Sequence, residues 1–119
     1  MIKLGESVCT LYPRVNRDYL IAGILLHDIG KILELGGSNI AEYTTKGKLL
    51  GHISISQTMV RETARELGID SEEVTVLRHI ILAHHGKREF GSPVLPMTLE
   101  AEVLHMIDDL DAKINMIEK

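Results

Sequence analysis

The sequence has few of the residues on which several classes of protein depend. Its single cysteine, Cys9, excludes a disulfide framework and is typical of the reducing cytosol, where we expect the protein to reside. With no tryptophan, three tyrosines and one phenylalanine in 119 residues, a base-stacking surface of the single-strand-binding kind is disfavoured. The longest apolar run, residues 19–26, is far below the roughly 20 residues that cross a bilayer, so we expect no membrane span.

Positive charge is also scarce. Lys and Arg number 13 against 17 Asp and Glu, which gives a formal net charge of −4. Nucleic-acid binders usually carry the opposite balance, so a nucleic-acid substrate would require a local basic patch or a second binding module. The 45% hydrophobic and 25% charged residues are ordinary for a folded protein, and the length predicts one domain over residues 1–119.

Apolar periodicity predicts an all-α fold of about five helices. The second helix is apolar on every side from Leu20 to Leu26, so we expect it to be central and buried. The predicted helices are 5–11, 17–35 after the cap Asn16, 50–67 ending at Gly68, 70–86 with Glu73 as capping-box partner of Asp70, and one from about 98 onward. The predicted core stripe of the last helix is Leu99, Val103, Ile107, Leu110, Ile114 and Ile117.

Six histidines are many for so short and acidic a chain. His27 and Asp28 lie in the apolar second helix, where burial is costly unless a divalent cation compensates. The apolar stripe of the fourth helix extends to His84, with His85 beside it. The other candidates are His52 at the start of the third helix and Asp108 and Asp111 on the last. Four helices could thus direct ligands to one interior point, which suits Mn, Fe, Zn, Ni or Mg, as one ion or two.

Simpler interpretations exist for each part of this set. A His-Asp pair alone is usually a helix-surface feature, and a His-His pair at a helix end is often a solvated cap. For His79 and His105 a structural or surface position is favoured over metal ligation. The order His-Asp, His, His-His, Asp, with each group on a different helix among apolar neighbours, favours a common site.

This order resembles that of the HD superfamily of metal-dependent phosphohydrolases. Within it, the chain is similar to the C-terminal domain of the YhaM-type 3′–5′ exoribonucleases. The segments that carry the resemblance are 25–31, 42–44, 49–53, 84–86 with 90–93, and 107–113. The resemblance implies an HD-domain helical bundle and hydrolysis of phosphate esters by metal-activated water, with manganese first among Mn, Mg, Co, Ni, Fe and Zn.

The resemblance also implies a role for each candidate residue. It makes His27, Asp28 and Asp108 the core metal ligands, with Asp28 able to bridge two ions, and His52, His84 and His85 the additional ligands. Asp28 and Lys31 would be catalytic, Lys31 contacting a substrate phosphate or orienting the carboxylates. His105 and Asp111 would support the metal ligands without binding the metal themselves. Lys46, Lys48, Lys87 and Arg88 lie in the flanking loops, where contact with substrate phosphates and a solvated loop face are equal alternatives.

The chain departs from this resemblance at its beginning. HD proteins normally carry one more histidine before the His-Asp pair, and residues 1–26 contain none. The upstream RNA-binding OB-fold of the YhaM type is also missing from the sequence. We therefore expect a fragment or a shortened relative, with weaker metal binding, reduced or absent activity, and RNA capture by another domain.

Three functions stay open at this point. The first is an exoribonuclease-like phosphodiesterase that acts on single-stranded RNA. The second is a nucleotidase that acts on small nucleotides, and the third is a non-catalytic, metal-stabilised helical module. Association of the chain with itself is left open as well.

Overall fold

The computed structural model describes residues 1–30, 45–86 and 92–118, with the side chains of 45–50 and 118 excepted. Within these ranges the chain forms five helices and no strand: α1 Ile2–Leu11, α2 Arg17–Leu26, α3 Thr45–Glu66, α4 Glu72–Ala83 and α5 Leu99–Glu118. The prediction of an all-α bundle of about five helices is confirmed. None of the described helices is both long and apolar enough to span a bilayer.

Helix α2 is the centre of the bundle, since it packs against α1, α4 and α5. It begins as predicted: the Asn16 side chain accepts a hydrogen bond of 3.1 Å from the backbone N–H of Tyr19. The buried core consists of Val15, Leu20, Ile24, Ile80, Ala83, Ala101, Leu104 and Ile107, and the partly buried Cys9 packs against it. The prediction that α2 is buried on every side is wrong at Leu25, which is 61% exposed.

Helix α2 ends at Leu26, well before the predicted Leu35, and a turn carries the chain from His27 to Gly30. The cause is a tertiary contact that competes with the helix. The N–H of Gly30 donates a hydrogen bond of 2.7 Å to the side-chain oxygen of Ser56 on α3. Residues 31–35 lie outside the described part of the chain.

Helix α5 presents a different face to the core from the predicted one. Ala101 and Leu104 are fully buried and Ile107 is 4% exposed, whereas Leu110 is 46%, Ile114 45% and Ile117 80% exposed. Because α5 packs on α2 and α4, its buried face is the one that carries the small Ala101. A search for large apolar side chains passes over that residue.

The remaining helix ends differ from the prediction by a few residues. Helix α3 begins at Thr45 and is interrupted at Gly51, whose φ of 77° and ψ of 156° are open to glycine and strained for other residues. Helix α4 begins at Glu72 after Ser71, and the N-cap makes no side-chain bond, so the predicted start at Asp70 is wrong. Gly68 follows α3 at a φ of 74°, which confirms the predicted stop.

Candidate metal centre

Four parts of the chain bring imidazoles and carboxylates together at one end of the bundle. His27 and Asp28 lie in the turn after α2, and His52 lies directly after the interruption of α3 at Gly51. His84 and His85 follow the end of α4, while Asp108 lies on α5. The ring centroids of His84 are 5.0 Å from His27, 4.3 Å from His85 and 6.2 Å from His52.

The carboxylate of Asp28 lies between three of these imidazoles. Its Oδ2 is 3.2 Å from Nε2 of His27, and its Oδ1 is 3.5 Å from Nε2 of His52 and 3.7 Å from Nε2 of His84. A second carboxylate, Asp108, has its Oδ1 3.7 Å from Nε2 of His27. Asp28 therefore lies near imidazoles from three separate parts of the chain, as a carboxylate shared by two ions must.

Backbone carbonyls orient two of the rings. Nδ1 of His27 donates to the carbonyl of Ile24 at 2.8 Å, and Nδ1 of His84 donates to the carbonyl of Ile81 at 2.7 Å. Since a carbonyl only accepts, each Nδ1 carries a proton. This directs the Nε2 atoms of both rings into the cluster, in the orientation that metal-ligating histidines show.

The two rings nevertheless differ in charge. Burial, with the nearby His85 and His27, lowers the pKa of His84 to about 4, so this imidazole is neutral. Burial also opposes a charge on His27, but the nearby carboxylates of Asp108 and Asp28 outweigh it and raise the pKa of His27 to about 10. The contact with His27 in turn holds the pKa of Asp108 below its ordinary value.

These residues fit a divalent metal. Nε2 of His84 is buried and makes no hydrogen bond in the described part of the chain, so its lone pair is directed into the cluster without a donor. Two groups, His27-Asp28-His84 and His52-His84-His85, each place one ligand atom per residue within 4.8 Å of the others. Imidazole nitrogens and carboxylate oxygens at such separations are the donors that first-row divalent ions take.

The structure thus brings together all six predicted ligands: His27, Asp28, His52, His84, His85 and Asp108. Of the supporting residues, His105 lies behind His84, with Nδ1 3.2 Å from the His84 carbonyl. Asp111 accepts a hydrogen bond of 3.4 Å from Asn115 and makes no contact with the cluster among the residues described. His79 accepts a hydrogen bond of 2.9 Å from the N–H of Met97, which confirms a structural position.

Other predicted residues cannot be placed. Lys31, Lys87 and Arg88 lie outside the described residues, as do the side chains of Lys46 and Lys48.

Sequence reasoning missed two residues that hold the turn after α2 in place. Ser56 is fully buried and accepts the hydrogen bond from Gly30, and a Cβ at position 30 would overlap the carbonyl oxygen of His52. The backbone carrying Asp28 can therefore lie directly against the part of α3 that follows Gly51. A signal was present, because Ser56 follows His52 by four residues and so lies on the same helical face.

Comparison with known proteins places this geometry in context. A family model described as "HD domain" matches residues 1–113. The 3′-5′ exoribonuclease YhaM of Shouchella clausii is 55% identical over all 119 residues, which is 37% of its own length. The proteins of the same name from Bacillus licheniformis and Bacillus subtilis are 57% and 55% identical, and the chain spans 38% of each. No solved structure was found to match.

Proposed function

The chain belongs to the HD domain family, and from that premise we propose that it is the metal-dependent catalytic domain of a 3′–5′ exoribonuclease. The observation that carries this proposal is the placement of Asp28 among three imidazoles beside the buried, unprotonated Nε2 of His84. The printed name of the curated relatives supports the substrate class. Because they are much longer, we propose that RNA capture involves other domains as well.

Six residues would hold the metal ions. We propose that His27, Asp28, His84 and Asp108 surround one position and His52 and His85 contribute to a second, with Asp28 shared between them. Manganese is our first choice of ion. When bound, a divalent ion supplies water of near-neutral pKa and neutralises charge on a phosphate.

The protein's own contribution is to hold these groups in place before substrate binds. The carbonyls of Ile24 and Ile81 orient His27 and His84, and the bond from Gly30 to Ser56 fixes the turn that carries Asp28. Preorganised groups of this kind need no rearrangement during the reaction, which is where much of an enzyme's rate acceleration arises. Lys31 follows Asp28 by three residues, and we propose it as a contact to the substrate phosphate.

The proposal is tested with a 5′-labelled single-stranded RNA and Mn²⁺. We expect stepwise shortening from the 3′ end with release of nucleoside 5′-monophosphates, and no shortening by the His27→Ala/Asp28→Ala variant. Asp108→Asn and Asp109→Asn form a matched pair, because Asp109 is the exposed neighbour that pairs with Lys113 at 2.9 Å. Only the former should lose activity.

Other outcomes would contradict the proposal in distinct ways. Activity that survives in the His27→Ala/Asp28→Ala variant would place the reaction elsewhere. Hydrolysis of mononucleotides without hydrolysis of RNA would make the domain a nucleotidase. Stabilisation by metal without turnover of any phosphate ester would make it a non-catalytic module.

A further inference from the structure

The far end of the α3–α4 pair carries a cleft lined by arginines. The two helices run antiparallel, since His52, directly after the interruption of α3, neighbours His85 after α4, and Gln57 is bonded to Arg78 further along. Beyond that bond, away from the metal centre, a cavity of about 370 Å³ opens between the helices. Its polar lining comprises Arg61, Arg65, Arg78, Asp70, Ser71 and Thr75.

The cleft is locally basic in a chain whose net charge is −4. Three arginines face one acid, Asp70, and none of the three makes an ion pair with a carboxylate in the ranges 1–30, 45–86 and 92–118. Other cations on the surface do find partners, as Arg17 does with Glu6 and Lys113 with Asp109. An arginine cannot lose its proton, so this group keeps its positive charge at every physiological pH and attracts an anion.

One of the three guanidinium groups is held in position. Nε of Arg78 donates to Oε1 of Gln57 at 3.0 Å, which leaves the terminal nitrogens of the guanidinium available for a ligand. Arg61 and Arg65 are exposed and lie one helical turn apart on α3. A planar guanidinium group can donate two parallel hydrogen bonds to two oxygens of one phosphate, which gives geometric specificity as well as affinity.

The cleft is also placed suitably relative to the metal centre. Gln57, which accepts the bond from Arg78, follows His52 by five residues on α3, about 7.5 Å along the helix axis, so the α3–α4 face joins the metal centre to the cleft. A strand whose 3′ end occupies the metal centre would extend along this face toward the arginines. The scarcity of aromatic residues disfavours stacking on bases and favours contacts to the backbone.

We propose that the cleft of Arg61, Arg65 and Arg78 binds backbone phosphates of single-stranded RNA upstream of the nucleotide at the metal centre. This inference rests on the proposed function for the direction of the strand. It supplies the local basic patch that the acidic composition requires of a domain acting on nucleic acid. Recognition of phosphate alone makes the binding independent of base sequence.

The test is RNA binding followed by fluorescence anisotropy in metal-free buffer, where hydrolysis does not interfere. A labelled single-stranded oligonucleotide is titrated at several salt concentrations with three proteins. These are the unsubstituted 119-residue chain, the cleft variant Arg61→Gln/Arg65→Gln, and the control variant Arg14→Gln/Arg17→Gln. The control removes the same charge from two exposed arginines elsewhere on the surface.

We expect the cleft variant to bind about tenfold more weakly, with a salt slope smaller by about 1.4 for two lost phosphate contacts. The control should stay within about twofold of the unsubstituted chain, since neither Arg14 nor Arg17 lines the cleft. Arg61→Lys/Arg65→Lys should keep the salt slope while losing part of the affinity, because lysine retains the charge without the paired geometry. Equal weakening in the cleft and control variants, or no saturable RNA binding by the unsubstituted chain, would overturn the proposal.

Two further measurements separate this inference from the proposed function. Hydrolysis of bis(p-nitrophenyl) phosphate with Mn²⁺ should be unchanged in the cleft variant and lost in His27→Ala/Asp28→Ala, which should still bind RNA. AMP should displace the RNA only weakly. Displacement by AMP at equal nucleotide concentration would make the cleft a mononucleotide site and would refute the proposed RNA contact.

Discussion

The two ends of the α3–α4 pair each gather nitrogen-rich side chains, but of different kinds and in different surroundings. At one end His52, His84 and His85 lie within ring-to-ring distances of 4.3–6.2 Å, and His84 is fully buried. At the other end Arg61 and Arg65 are exposed to solvent. The two ends differ in charge, because the buried imidazole of His84 can lose its proton and a guanidinium group cannot.

The difference determines which ligand each end can take. The pKa of His84 falls to about 4, so the buried end offers lone pairs and attracts a cation. The arginines keep their charge in water, where like-charge repulsion is screened, and they attract an anion. Nearness of basic groups therefore says little about the ligand until their burial and their carboxylate neighbours are known.

The largest expected effect comes from removing a histidine of the buried metal cluster. His84→Ala should lower the affinity for Mn²⁺ by at least roughly 100-fold, since loss of residues that merely support a ligand costs 10–100-fold. RNA hydrolysis should fall at least as much. Isothermal titration with Mn²⁺ measures this, and His79→Ala on the same helix is the matched control, because His79 bonds to Met97. Equal losses in the two variants would show that His84 is not a ligand.

Metal should stabilise the fold through the same residues. At a free Mn²⁺ concentration 100 times the dissociation constant, we expect the free energy of unfolding to rise by about 2.7 kcal/mol. Chelation should reverse the gain, and Asp28→Asn should abolish it at that concentration, whereas Asp109→Asn should retain it. Urea denaturation with and without EDTA provides the measurement. A gain that survives in Asp28→Asn would contradict the placement of Asp28 at the ion.

A smaller effect tests how closely the turn after α2 approaches α3. Gly30→Ala should destabilise the protein by about 1–3 kcal/mol, because the added Cβ overlaps the His52 carbonyl and Ser56. It should also weaken Mn²⁺ binding by displacing Asp28. Gly68→Ala is the control, since a Cβ there has nothing within 4 Å and costs only the strain of a φ of 74°. If Gly68→Ala weakened metal binding as much, general destabilisation would explain both results.

The smallest effect concerns a histidine of α4 that lies outside the metal cluster. Burial lowers the pKa of His79 below its ordinary value, and its Nε2 accepts a bond from Met97. Because the unfolded chain then binds the proton more readily, His79 contributes stability above pH 6.5 that is lost as the pH falls below that value. The advantage of the unsubstituted chain over His79→Gln in urea should thus be larger at pH 7.5 than at pH 5. An advantage that grows on acidification would be contrary to this sign.

Much of the candidate site could be predicted from the sequence. The spacing of His27, His52, His84 and Asp108 on separate apolar helices sufficed to group them, because helical periodicity is a local property. The buried face of α5 was not predictable in this way. Whether Ala101 or Leu110 faces the core depends on where α2 and α4 lie, and neither position is encoded within α5 itself.

The sequence by itself determined the all-α class, the cap at Asn16 and the identity of the six candidate ligands, since each follows from residue type and spacing. Only the tertiary structure decided the charges, because a pKa depends on burial and on the distance to neighbouring groups. For this reason the pKa of His27 is raised to about 10, while the pKa of His84, whose ring lies 5.0 Å away, falls to about 4. Packing of α3 against α4 likewise brought Arg61, Arg65 and Arg78 to one cleft, although they are up to 17 residues apart in the sequence.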